Sequence, residues 1–264
     1  MICTHTTEFG AAAPATPRLA LARHLPPLML AAALTAPSLV TLVSAAAGTS
    51  IPAAERQVLL DLHARTRGDQ WSQRTGWLGA TGSECDWYGV RCDAARRHVT
   101  GLNLANNQLR GQLPRLQGLA QLRSLNVALN YLEGPLPPLH GLTELRELKA
   151  HNNLLRGPLP ELRHLAHVQR IVLANNRIDG VLPPLAGLNA LREFDVSNNL
   201  LRGPVPAVIG LENLTRFDVS FNRLALARGQ ASRVMTVDLE GNGAQPLPTA
   251  PLPDAPLDED AGGS

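Results

Sequence analysis

Asp195, Asp218 and Asp238 stand 23 and 20 residues apart, at one point of a recurring pattern. A fold that stacks the pattern brings their carboxylates onto neighbouring strands, about 5 Å apart. Carboxylates that close can hold a cation or divide acid and base roles. The same column upstream reads Asn103, Asn126, Lys149 and Val172, so the stripe runs from neutral to acidic. An ordinary polar binding face explains such a stripe equally well, and we adopt that reading, with no catalytic residue, no metal and no cofactor expected. His164 and His167 have H-x-x-H spacing, but they fall in a connection with no carboxylate partner in view. Cys85 and Cys92 lack the two further ligands that a zinc site needs. In an exported chain they pair; in a reducing compartment they stay thiols. Asn213-Leu214-Thr215 is a glycosylation sequon that matters only in a eukaryotic secretory pathway. Phosphate loops, nucleophile elbows and zinc-protease motifs are absent from the sequence.

Composition narrows the classes. Formal net charge is +2 and charged residues make up 17%, with basic and acidic side chains interspersed, which excludes the footprint of a nucleic-acid binder. Leu supplies 47 of the 264 residues while aromatics supply 3%, so the core is built of leucine, and leucine at that density signals a repeat. Lys149 is the only lysine; this, with abundant Ala, Arg, Gly and Pro, is the signature of GC-rich coding, as in many bacteria.

The elements that position these residues come from one spacing. Asn107, Asn130, Asn153, Asn176, Asn199 and Asn222 are each 23 residues apart. Around each, apolar residues recur in register: Leu122, Leu125, Val127, Leu132, Leu136, Leu139 and Leu142 about Asn130. Residues such as Leu125 and Val127 alternate with polar ones, which predicts a short strand buried on one face, with the next strand parallel one coil later. Asn carries two donors and an acceptor on a short side chain, so at each turn it bonds backbone that has no ladder partner. A Gly follows each of the first five Asn, and a Leu-Pro or Val-Pro step then starts the convex return. One coil cannot bury seven apolar positions alone, so stacking is obligatory. Two columns alternate in sign, Arg110, Glu133, Arg156, Asp179, Arg202 and Glu147, Arg170, Glu193, Arg216. Stacked at strand spacing, both are expected to form ion pairs between neighbouring coils.

Upstream lie Gly68-Asp69-Gln70-Trp71, Thr75-Gly76-Trp77-Leu78 and Cys85-Asp86-Trp87-Tyr88-Gly89-Val90-Arg91-Cys92. A helix is expected from about Ala53 to Thr66, with Val58, Leu59 and Leu62 on one face. The whole resembles the plant-type extracellular leucine-rich repeat, L-x-x-L-x-L-x-x-N-x-L-x-G-x-[IL]-P, and its amino-terminal cap, over Val99 to about Leu224 for the repeats. The family's usual repeat is one residue longer. The resemblance implies a right-handed, mostly β leucine-rich repeat solenoid with short 3-10 segments on the convex side and a helical amino-terminal cap. An Asp in the concave column is common in that family, which favours the binding-face reading.

The expected organisation is an export signal over 1–47, the cap over 48–98, repeats over 99–243 (six coils and a partial seventh) and a disordered, Pro-rich acidic tail over 244–264. Arg18, Arg23 and His24 precede an uncharged run ending in Val43-Ser44-Ala45-Ala46-Ala47, which fits a cleaved signal; retention as an anchor is the alternative. The expected function is a secreted, non-catalytic, monomeric protein-binding module acting at a host or cell surface. An inhibitor of a secreted hydrolase, such as a pectin-degrading enzyme, and an anchored adhesive protein are the alternatives. Polygalacturonase inhibitors and receptor ectodomains are the plant proteins it resembles. The expected binding patch combines Leu129, Tyr131, Leu154 and Leu200 beside the Asn column with Lys149, His151, Arg170, Val172, Asp195 and Asp218. An apolar centre with a mixed charged rim suits a protein partner. With Tyr131 alone to stack on a sugar, a protein is favoured over a glycan, and no nucleic acid is expected.

Overall fold

The structure is a computed structural model that describes residues 50–225 and 240–242, with the backbone of 237–238. The expected export segment, the acidic tail and most of the partial seventh repeat lie outside the described residues.

Each coil contributes one strand to a concave sheet. After β1 (Val90–Cys92) come β2 (Val99–Asn103), β4 (Ser124–Asn126), β6 (Glu147–Lys149), β8 (Arg170–Val172), β10 (Glu193–Asp195), β12 (Arg216–Asp218) and β14 (Val237–Asp238). They pair in that order, parallel throughout except for the antiparallel β1–β2 pair. From β4 to β12 the register is 23 residues per coil, so Leu125, Leu148, Ile171, Phe194 and Phe217 stack as one buried column. Phe194 and Phe217 lie face to face, 5.6 Å between centroids. Burying side chains of this size contributes about 1.5–3 kcal/mol each.

The strand after each Asn builds a second, lateral sheet. β3 (Arg110–Gly111), β5 (Tyr131–Gly134), β7 (Leu154–Pro158) and β9 (Arg177–Asp179) form one piece, β11 (Arg202–Pro204) and β13 (Arg223–Ala225) another, and a Val181–Arg202 bridge lies between. Its register differs from that of the concave sheet: Arg110 pairs with Tyr131, Glu133 with Leu154, Arg156 with Arg177 and Arg202 with Arg223. The 3-10 character expected on the convex side takes the form of successive turns, such as Leu119 N–H to Leu116 O and Leu122 N–H to Leu119 O.

The Asn side chains sew the coils together. Asn130 Oδ1 accepts the N–H groups of Asn107 and Leu109 at 3.0 and 2.9 Å, and its Nδ2 donates to Leu104, Val127 and Ala128 carbonyls. Asn153, Asn176, Asn199 and Asn222 each accept the N–H of the apolar residue two positions after the preceding Asn. Asn107 turns instead to the cap, where it bonds both backbone groups of Gln73. The residue before each of these six Asn has left-handed backbone: Asn106, Leu129, Asn152, Asn175, Asn198 and Phe221, φ 51 to 58°.

The cap closes the first coil. Its helix α1 runs Ala53–Arg65 and buries Leu59 and Leu62, with Val58 partly covered. Glu55 is buried too, because its carboxylate accepts the Val99 N–H at 2.7 Å and meets His98 Nδ1 at 2.7 Å. Trp71 meets Trp77 edge-on at 4.7 Å, and Trp77 meets Trp87 at 5.0 Å. Each indole N–H is bonded, to Thr66 O, Tyr88 O and Ser83 Oγ respectively. A Cys85–Cys92 disulfide ties the cap's last turn to β1. No helix among the described residues is long and apolar enough to cross a membrane.

Candidate functional site

The concave sheet presents a central column, Asn103, Asn126, Lys149, Val172, Asp195 and Asp218, in continuous register. Four of the six spend their side chains on their own turn. Asn103, Asn126, Asp195 and Asp218 each accept, through Oδ1, the backbone N–H two residues on. Asp195 and Asp218 also accept the hydroxyls of Ser197 and Ser220, at 2.7 and 2.6 Å. Lys149 and Val172 carry no acceptor for that bond, so coils three and four give it up.

Two ionic networks flank Val172. On one side Glu147 holds Lys149 Nζ at 2.7 Å, Arg170 Nε at 2.8 Å and Ser124 Oγ at 3.1 Å. Burial alone would raise the Glu147 carboxyl, but the bonds from Lys149 and Arg170 override it and hold its pKa below the usual value. On the other side Arg216 lies within 3.1–3.5 Å of Glu193, Asp195 and Asp218. Bonding to Asp218 is the main reason its own pKa is raised. Asp195 is 6% exposed and buried in this network, so it frames the surface from below instead of standing on its rim. Arg216 bonds all three carboxylates and offsets one of their three charges.

His151 lies next to Lys149 at the edge of the face. Its Nδ1 is buried without a hydrogen-bond partner among the described residues. Burial, reinforced by the Lys149 cation, lowers its pKa against the opposing pull of Asp195 and Glu193.

Beyond His151 the face turns into the lateral edge. Leu129, Tyr131 and Leu154 are 50, 48 and 38% exposed, on coils two and three. Leu200 and Phe221 are exposed on coils five and six. The apolar strip expected to be continuous is interrupted at coil four, where Asn175 and Arg177 take the equivalent positions. Phe221 adds to the expected set; its place before a ladder Asn, like that of Leu129, is the signal that marks it.

Two further features escape sequence reasoning. Tyr88, Arg91, Asn103, Ser124, Asn126 and Glu147 line a groove of about 400 Å³ at the amino-terminal end of the concave face, created where β1 folds back over Gly101. Among the described residues the lateral column of alternating charge also forms no ion pairs between coils. The shifted register places Arg156 against Arg177 and Arg202 against Arg223, and Glu133 against Leu154. On the concave side the alternation does pair, Glu147 with Arg170 and Glu193 with Arg216. His164 lies near Glu161, its Nε2 3.8 Å from the carboxylate, and the described residues contain no cluster of metal-ligating side chains.

No family model matches the chain. Solved structures do. The BIR2 ectodomain from Arabidopsis thaliana is 30% identical over 58% of this chain and 83% of that one, with a TM-score of 0.53. Pollen Receptor Kinase 3 is 26% identical over 67% and 85%, with a TM-score of 0.52. The LRR ectodomain of the receptor kinase SOBIR1 from Arabidopsis thaliana, 24% identical over 67% and 97% with a TM-score of 0.54, shares the fold. The repeat, the Asn ladder, the disulfide-bearing cap and these likenesses converge: the chain belongs to the plant-type extracellular leucine-rich repeat proteins.

Proposed function

We infer that this chain is an exported, non-catalytic recognition module that binds another protein through the middle of its concave face and the adjoining edge. One observation carries the reading. Lys149 and Val172 occupy the two described positions of the central column where the turn-bonding Asn or Asp has been given up. A coil that had only to fold would keep that bond. In its place, at coil four, stands an apolar side chain between two ion networks, and exposed Leu129 and Tyr131 lie on the adjoining lateral edge at coil two. An apolar centre framed by both signs of charge is how protein interfaces are built. The likeness to the BIR2 ectodomain supports an extracellular setting.

The test uses the immobilised full chain to capture partners from culture fluid and from host extracts. A partner bound by the wild type should be lost, or weakened at least about tenfold (about 1.4 kcal/mol), by Val172→Glu, Tyr131→Glu and Lys149→Glu. A captured partner that none of these three folded variants weakens places recognition elsewhere and ends the reading.

A further inference from the structure

The lateral sheet carries Arg110, Arg156, Arg177, Arg202 and Arg223, all exposed, against two acids, Glu133 and Asp179. None of these seven forms an ion pair among the described residues. Arg156 stands in register against Arg177, and Arg202 against Arg223. Like charges directly opposite on neighbouring strands destabilise a sheet. The same chain avoids the problem on its concave side, where Glu147 meets Arg170 and Glu193 meets Arg216. Uncompensated arginine pairs on one side only are what an anionic partner needs, because the guanidinium fork matches a carboxylate in two bonds.

Apolar side chains are interleaved with these arginines. Tyr131 and Leu154 point outward from β5 and β7, and Leu200 lies exposed just before β11. Tyr131 is the one aromatic ring on the six lateral strands, and Arg110 covers a face of it at 4.5 Å. A sugar would have to displace Arg110 or use the one remaining face, so the apolar positions suit aliphatic side chains.

We propose that the lateral sheet is a docking strip for an extended acidic segment of another protein, one that alternates carboxylates with aliphatic side chains. The carboxylates sit between the opposed arginines, and the aliphatic groups cover Leu154 and Leu200. Six strands at about 4.8 Å spacing span about 24 Å, the length of about seven extended residues. The strip meets the proposed recognition face only at Tyr131, and its arginines take no part in that reading.

The probe is a fluorescent peptide of alternating Asp and Leu, about twelve residues long so that it spans the strip. Its anisotropy is followed on adding the full chain at about 20 mM salt, and again at about 0.5 M, where exposed charges are screened. Saturable, salt-sensitive binding is expected, weakened at least tenfold by Arg156→Ala with Arg177→Ala and unchanged by Val172→Glu. Arg177→Glu separates docking from folding: it should abolish peptide binding yet raise the melting temperature by about 1–3 °C, by pairing with Arg156. Four results overturn the proposal. They are no saturable binding to the wild type, undiminished binding to the arginine variants, loss on Val172→Glu, or equal affinity for polyglutamate or polygalacturonate, which would make the strip a general polyanion site.

Discussion

Asn130 accepts the backbone N–H of Asn107 at 3.0 Å, so the ladder residue of one coil holds the turn of the coil before it. The same oxygen accepts Leu109 N–H, and the amide nitrogen reaches three carbonyls. Asn130→Ala leaves those buried groups without partners, and the expected cost is about 1–3 kcal/mol. Arg115→Ala, at an exposed position, should change stability by less than about 0.5 kcal/mol. Equal shifts of the denaturation midpoint for the two variants would contradict the ladder's structural role.

Leu129 adopts left-handed backbone at φ 58° where most coils place Asn. That conformation costs a branched residue about 1–2 kcal/mol, and a half-exposed side chain recovers little of it. Leu129→Asn is therefore expected to stabilise the fold by about 0.5–1 kcal/mol. Val172→Asn, which restores the turn bond of its column, should act in the same direction by about 0.5–1 kcal/mol. Thermal melts of the two variants decide the point: lower melting temperatures would show that both side chains serve packing.

Acid weakens the fold through two partly buried histidines. Burial is the main cause that lowers the pKa of both His151 and His63 from 6.5. The unfolded chain takes up these protons near the ordinary value and the folded chain only at lower pH. The stabilisation is thus complete above about pH 6.5 and is lost as pH falls through the lowered values. The guanidinium midpoint should decline between about pH 7.5 and about pH 5.5, and His151→Gln should make that decline shallower. An identical slope in the variant would remove His151 from the account.

Reducing the Cys85–Cys92 disulfide, which closes a loop of sequence separation 7, should cost about 2–3 kcal/mol by loop entropy. The loss is expected in the cap, since the backbone pairing of this loop runs to β2, at Val99 to Asn103. Proteolysis of the reduced chain should then start before Val99. Cleavage that starts within coils two to five would show that the disulfide supports more than its own turn.

Much of this architecture was legible in the 23-residue spacing of the six Asn. Spacing of that kind sets which residues share a column on the concave sheet, because parallel strands of equal coils repeat the same register. The lateral sheet was harder to read. Its pairing is staggered by two residues, Arg156 meeting Arg177 instead of Asp179, and no residue type announces that stagger. Burial of Asp195 had a visible sign: Asp-x-Ser recurs at Asp195 and Asp218, and Asp in that setting bonds the backbone two residues on. Glu55 had none, since its partners at His98 and Val99 are more than forty residues away along the chain.

All three tryptophans, Trp71, Trp77 and Trp87, sit together in the cap. Tryptophan fluorescence of this protein is consequently an optical label on one end of a one-dimensional stack, blind to coils two through six. Circular dichroism sees the sheet of every coil. In a solenoid, where each coil contacts only its neighbours, the two signals need not change together. Their separation during a single denaturation measures, without any added dye, how tightly the fate of the cap is coupled to that of the coils it covers.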